Sequence, residues 1–275
     1  MIPAWLTIER RNAPLVLSIP HAGGDLLHYG QRFKSDWLAR RDADWHLPDL
    51  YDFAAGLGAT VVSTSLSRSI IDVNRDPSGA SLYPGRATTE LCPVTTFDGE
   101  SLYVKGRAPD EREIGERRSL YYAPYHEALA AEIARLRNSH ARVAVYDAHS
   151  IRSRIPRLFD AELPLFNLGT NDGRACSPAL RERLGEILRA SGERSIVDGR
   201  FKGGWITRGF GRPEAGVEAV QMELGCRAYM VEPETIGPYN WPTALDAERA
   251  DKTRRTLKSV LNAMLAFVGD KSGDR

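Results

Sequence analysis

Cysteine is scarce, neither sign of charge is in excess and no apolar run is long. The three cysteines, Cys92, Cys176 and Cys226, stand far apart. They form no CxxC pair and suggest no disulfide framework, so a reducing cytoplasm is the expected setting. A formal net charge of +1 leaves no electrostatic case for a nucleic-acid or membrane partner. No stretch reaches the roughly 20 apolar residues that a bilayer-spanning helix needs. The opening "MIPAWLTIERRNAP" lacks the basic start, apolar middle and small-residue cleavage site of a secretory signal. Internal repeats, low-complexity tracts and Pro- or Ser-rich linkers are missing as well, so residues 1–275 read as one domain. What is present, 42% hydrophobic and 27% charged residues, is the composition of an ordinary globular protein.

Strand-like and helix-like segments alternate. "PLVLSIP" (14–20) is a short apolar run that breaks at Pro20-His21-Ala22-Gly23-Gly24. Residues 44–58 place Leu47, Leu50, Tyr51 and Ala54 at helical spacing before Gly56 and Gly58. The β-branched 59–67 is a strand. Residues 110–138 make one long helix, or two broken near Pro124. Strands follow at 143–146, where "VAVY" runs into Asp147, Ala148, His149 and Ser150, and at 163–170 and 217–224. Ser177 and Pro178 open a helix over 177–191. A last amphipathic helix covers about 244–268. This alternation predicts a three-layer α-β-α fold with a mixed, largely parallel sheet.

In such sheets ligands bind beyond the carboxyl ends of the strands. Three apolar runs end in reactive groups: His21, His149 and Glu223. Two imidazoles and a carboxylate would hold a catalytic Zn²⁺. Asp44 is the best-placed third ligand, with Asp25, Asp42 and His46 as rivals. Each residue also has a plainer use. A histidine at a strand end can be a hydrogen-bonded structural group, and Asp44 can cap a helix. His126 reads as structural, and His28 and His140 offer nothing specific. Glu223 lies in the otherwise apolar "VQMEL", where a charge needs a reason. Asp147 is either an acceptor that orients an imidazole or a turn acid. "GRFKGGWITRGFG" (199–211) lacks phosphate-loop spacing and is either a loop over the site or a surface connection.

"LVLSIPHAGG", "DADWHLPDLYDFAAGLGA", "SRSIIDVNRDPSG", "YYAPYHEAL", "YDAHSIRSRIPRLF", "GRFKGGWITRGFGRP" and "VQMELGCRAYM" occur in order over about residues 14–230. Together they resemble the N-formylglutamate amidohydrolase (N-formylglutamate deformylase) family. The resemblance implies hydrolysis of N-formyl-L-glutamate to formate and L-glutamate, in histidine breakdown. It also implies a fold similar to the zinc carboxypeptidases. It places His21, His149 and Asp44 as metal ligands and Glu223 as the base. Gly24 stands where the carboxypeptidase pattern has its acid, three residues after the first histidine.

Such a substrate carries two carboxylates on its leaving amine, and arginine is the residue for gripping them. Asn74-Arg75 resembles the "NR" pair with which carboxypeptidases hold a terminal carboxylate. Arg68, Arg152, Arg154 and Lys202 are further candidates for the side-chain carboxylate or the oxyanion; any arginine can instead be a surface ion pair. The expected function is metal-dependent hydrolysis of N-formyl-L-glutamate, with a small acidic molecule as substrate and no nucleic-acid or membrane partner. The alternatives are an amidohydrolase of the same build that cleaves another N-acyl amino acid or a peptidoglycan amide, and a non-catalytic binder of an acidic metabolite.

Overall fold

The protein is described by a computed structural model that covers residues 2–270. Seven strands form one sheet: β1 (Leu6–Glu9), β2 (Leu15–Ile19), β3 (Thr60–Thr64), β4 (Val143–Ile151), β5 (Phe166–Gly169), β6 (Ser195–Val197) and β7 (Val217–Gly225). Their spatial order is β1-β3-β2-β4-β7-β5-β6. The β3-β2-β4-β7 centre is parallel; β1 runs antiparallel to β3, and β5 antiparallel to β7. The mixed, largely parallel α/β sheet expected from the alternation is present.

Helices cover both faces: α1 (Asp36–Arg40), α2 (Leu47–Leu50), α3 (Glu111–Arg117), α4 (Ala123–Arg137), α5 (Pro178–Ala190), α6 (Trp205–Phe210) and α7 (Ala247–Gly269). One core packs residues of α2, α5 and α7 against Leu15, Leu17, Ala144, Tyr146, Ala148, Val220, Met222 and Leu224. The other packs residues of α1, α4 and α6 against Val16, Val143, Val145 and Ala219. Successive strand side chains point to opposite faces. Asp147 and His149 therefore share a face with Val143 and Val145, and Gln221 and Glu223 share it with Ala219.

Several expectations need correction. The helix expected over 44–58 is only α2 followed by a 3₁₀ turn, Asp52–Ala55. His46 sits at φ +61°, a left-handed conformation that no helix can run through, so Asp44 and Trp45 lie outside it. Of the two readings of 110–138, one long helix is not found; the segment is two helices, α3 and α4, joined by a π-helical turn, Arg118–Tyr122, with Pro124 in the first turn of α4. β4 runs on to Ile151 and so contains Asp147 and His149, with all nine positions buried. Ser177 precedes α5 as expected, but its hydroxyl makes no capping bond. β1 and β6, of four and three residues, carried no readable pattern.

Candidate active site

Strand register puts the reactive residues together. His149 and Glu223 are paired across the β4–β7 ladder, two positions from the carboxyl ends of both strands. His21 lies two residues beyond β2, which pairs with β4. Asp44 arrives on the loop before α2, where its N–H donates to the His21 carbonyl at 2.9 Å. His21, Asp44 and His149 are all buried and present ligand atoms within 4.8 Å of one another. Asp44 Oδ2 is 3.0 Å from His149 Nδ1 and 3.8 Å from His21 Nδ1.

The outer nitrogens of both rings are tied to acids. His21 Nε2 donates to Asp72 Oδ1 at 2.8 Å, and His149 Nε2 donates to Asp147 Oδ2 at 2.9 Å. This fixes each ring with Nδ1 facing Asp44. His21 Nδ1 is buried and has no hydrogen-bond partner among the described residues. A buried orphan of this kind needs an account, and a cation is the natural partner for it.

The electrostatics follow from this setting. Burial lowers the His21 pKa and the Arg68 charge lowers it further; Asp72 and Asp44 only partly offset them. For His149 burial also acts downward, but the Asp147 and Asp44 carboxylates overcome it and hold the value well above that of an ordinary histidine. Burial pushes the Glu223 carboxyl up to about 7, with His149 and Arg68 opposing. Glu223 Oε2 accepts from Gln221 Nε2 at 3.1 Å, and Gln221 Oε1 accepts from the Gly204 N–H at 2.7 Å.

His21, His149 and Glu223 open onto one cleft together with Arg68, Asn74, Arg75, Tyr83, Thr89, Phe97, Arg200, Phe201 and Gln221. Arg68 is clamped to Asp72 at 2.7 Å and lies over the Phe97 ring. Arg75 donates to the Thr89 carbonyl and hydroxyl at 3.1 and 3.0 Å and sits 3.5 Å from Asp72.

Asn74 lines the cleft, but its amide is already engaged. Nδ2 donates to Asp147 Oδ2 at 2.9 Å, and Oδ1 accepts from the Ile206 N–H at 2.8 Å. The other sequence candidates lie elsewhere. Arg152 pairs with Asp98 and Asp42. Arg154 pairs with Glu162 and is 75% exposed, and Lys202 pairs with Asp172. Asp25 is exposed. Asp42 accepts from the Phe97 N–H, and His46 Nε2 donates to the Thr243 carbonyl.

Asp72 and Arg200 were not singled out from the sequence. An acid inside the apolar "SIIDV" carried the same signal that marked Glu223. Arg200 had only an aromatic neighbour, Phe201, to mark it.

Gly204 has a spatial role. A Cβ there would lie 2.4 Å from Asn74 Nδ2 and 2.6 Å from its Cγ. Asn74 cannot retreat without losing Asp147 and Ile206. Gly204→Ala should therefore loosen the support of His149 and weaken metal affinity about 10- to 100-fold. Competition with a chromophoric chelator measures this; unchanged affinity would show that Asn74 gives way freely.

A family model described as N-formylglutamate amidohydrolase matches residues 13–230. The chain is 43% identical over 274 residues to an N-formylglutamate deformylase of Pseudomonas putida, covering 97% of each chain. It is 42% identical over 264 residues to one of Pseudomonas aeruginosa, covering 95% of this chain and 96% of the relative. The crystal structure of an N-formylglutamate amidohydrolase from Ralstonia eutropha JMP134 superposes with a TM-score of 0.77 at 22% identity, over 97% of this chain and 99% of that one. That last likeness concerns the fold.

Proposed function

The chain belongs to the N-formylglutamate amidohydrolase family, and from that premise we propose that it hydrolyses N-formyl-L-glutamate to formate and L-glutamate at a divalent metal held by His21, Asp44 and His149. The activity is the one named for the two Pseudomonas relatives, which match nearly end to end. The observation that carries the reading is the meeting of the buried His21–Asp44–His149 group with Glu223 in one arginine-lined cleft. We read the whole chain, 1–275, as one catalytic domain. We place it in the cytoplasm, in histidine breakdown, where its three buried free thiols stay reduced. No helix among the described residues is long and apolar enough to cross a membrane.

Two imidazoles and a carboxylate suit Zn²⁺. Such an ion, when bound, polarises a carbonyl and makes its water a nucleophile near neutral pH. The chain's own residues do the rest. Asp72 and Asp147 keep both imidazoles in the tautomer that offers Nδ1 inward. Glu223 takes a proton from the attacking water and delivers it to the glutamate nitrogen as the C–N bond breaks. The water's oxygen remains on the formyl carbon, which leaves as formate. Arg75, tied to the metal-supporting Asp72, takes the α-carboxylate beside that nitrogen. Arg68 adds positive charge on the same wall.

The deciding experiment measures formate release from N-formyl-L-glutamate alongside a panel of N-formyl and N-acetyl amino acids, with metal analysis of protein purified without chelator. We expect N-formyl-L-glutamate to be the preferred substrate and about one equivalent of zinc, or a replaceable divalent ion, per chain. Chelation should abolish turnover, and added metal should restore it. A metal-free protein with full activity would end the proposal. Binding of N-formylglutamate without turnover in any divalent metal would make the chain a binding protein instead.

A further inference from the structure

Arg200 is an arginine without an acid. Among the described residues it makes no ion pair, although it lines the same cleft as His21, His149 and Glu223. Arg68 and Arg75 both lie against Asp72. Arg200 is held instead by neutral groups. Its Nε donates to the Leu158 carbonyl at 2.9 Å and one terminal nitrogen donates to the Ala87 carbonyl at 2.8 Å. Its guanidinium lies 5.4 Å from the Tyr83 ring centroid and 5.3 Å from that of Phe201. The Tyr83 hydroxyl in turn donates to the Gly203 carbonyl and accepts from the Lys202 N–H, both at 3.1 Å, so the platform under Arg200 is fixed.

We propose that Arg200 is the specificity-determining residue that receives the side-chain carboxylate of the substrate. The assignment rests on the amidohydrolase reading above and deepens it. An α-carboxylate is one carbon from the scissile nitrogen and must lie close to the metal group. Arg75 is linked to that group through Asp72. The side-chain carboxylate reaches further from the reacting bond. Arg200 has no hydrogen bond or ion pair to Asp72, Asp44, Asp147 or either imidazole among the described residues, so its charge is not spent on the metal group and is left for the distal anion. Its aromatic and apolar surroundings strengthen a charge pair by keeping water away. Burial, with the positive charges of Arg75 and Arg86 nearby, presses its pKa below the ordinary arginine value; a bound carboxylate would relieve that pressure.

The test compares N-formyl-L-glutamate with N-formyl-L-glutamine, the same shape without the charge, in the metal-loaded wild type, Arg200→Gln and Arg200→Lys. Wild-type enzyme should prefer the glutamate substrate strongly. Arg200→Gln should lower kcat/KM for N-formylglutamate about 30-fold or more, mainly through KM, and change that for N-formylglutamine less than about 3-fold. Turnover of the glutamine substrate also certifies that the variant is folded. Arg200→Lys keeps the charge but loses the fork, so it should fall between. Equal losses on both substrates, or preserved discrimination in Arg200→Gln, would overturn the assignment while leaving the amidohydrolase reading intact. A wild type that prefers neutral substrates would overturn that reading first, and this inference with it.

Discussion

Glu223→Gln should lower kcat for formate release by about 10²- to 10⁴-fold and leave the metal content unchanged. The amide keeps the size of the carboxylate and can still meet Gln221, so the fold has no reason to change. What disappears is a proton acceptor. Glu223 is suited to that task because burial pushes its pKa up to about 7. A carboxylate with its ordinary pKa would be a weaker base and take the water's proton less readily; a group poised near neutrality can both take the proton and return it. The loss should fall on kcat with KM nearly unchanged, because the proton moves only on the way to the transition state. Metal analysis of the variant completes the measurement. If the metal leaves with the carboxylate, Glu223 is a ligand and Asp44 loses that role.

Much of this arrangement was legible because strands have a period of two. In "VAVYDAHS" the odd positions 143, 145, 147 and 149 share a face, so an acid and an imidazole two residues apart had to emerge together. "VQMEL" repeats the logic for Gln221 and Glu223. The alternation of strands and helices supplied the sheet, and the position of a site at strand carboxyl ends followed. Asp44 was readable as the third ligand, but the way it reaches the imidazoles was not: the chain turns left-handed at His46 and the Asp44 N–H bonds to the His21 carbonyl, and neither is visible in local spacing. Other residues without a period were hidden. Lys202 and Arg200 stand two apart in one loop, and nothing local says which turns inward. The choice is made by Tyr83, which packs from a distant segment. Arg154 follows a strand that ends at Ile151, after which it pairs outward with Glu162.

Arg75→Ala should lower kcat/KM for N-formyl-L-glutamate by roughly 30- to 4,000-fold. Arg75 is only 21% exposed, and its guanidinium is aimed by Thr89 on one side and Asp72 on the other. Removing one partner of such a charge pair leaves the other stranded away from water, at a cost on the order of 2–5 kcal/mol. At about 1.4 kcal/mol per tenfold this gives the stated range. The carboxylate is charged before and during the reaction, so much of the loss should appear in KM. Asp72 complicates the reading, because it also accepts from His21 Nε2 and from Arg68. Losing Arg75 could disturb the metal through that acid. Metal content of the variant separates the two effects, since Arg68, His21 and the Asn74 N–H still hold Asp72 in place. The α-amide of the substrate lacks the charge that Arg75 would read. It should be a poor substrate for the wild type and should lose much less on mutation. Equal losses for the acid and the amide, with metal retained, would show that Arg75 supports Asp72 and does not read the α-carboxylate.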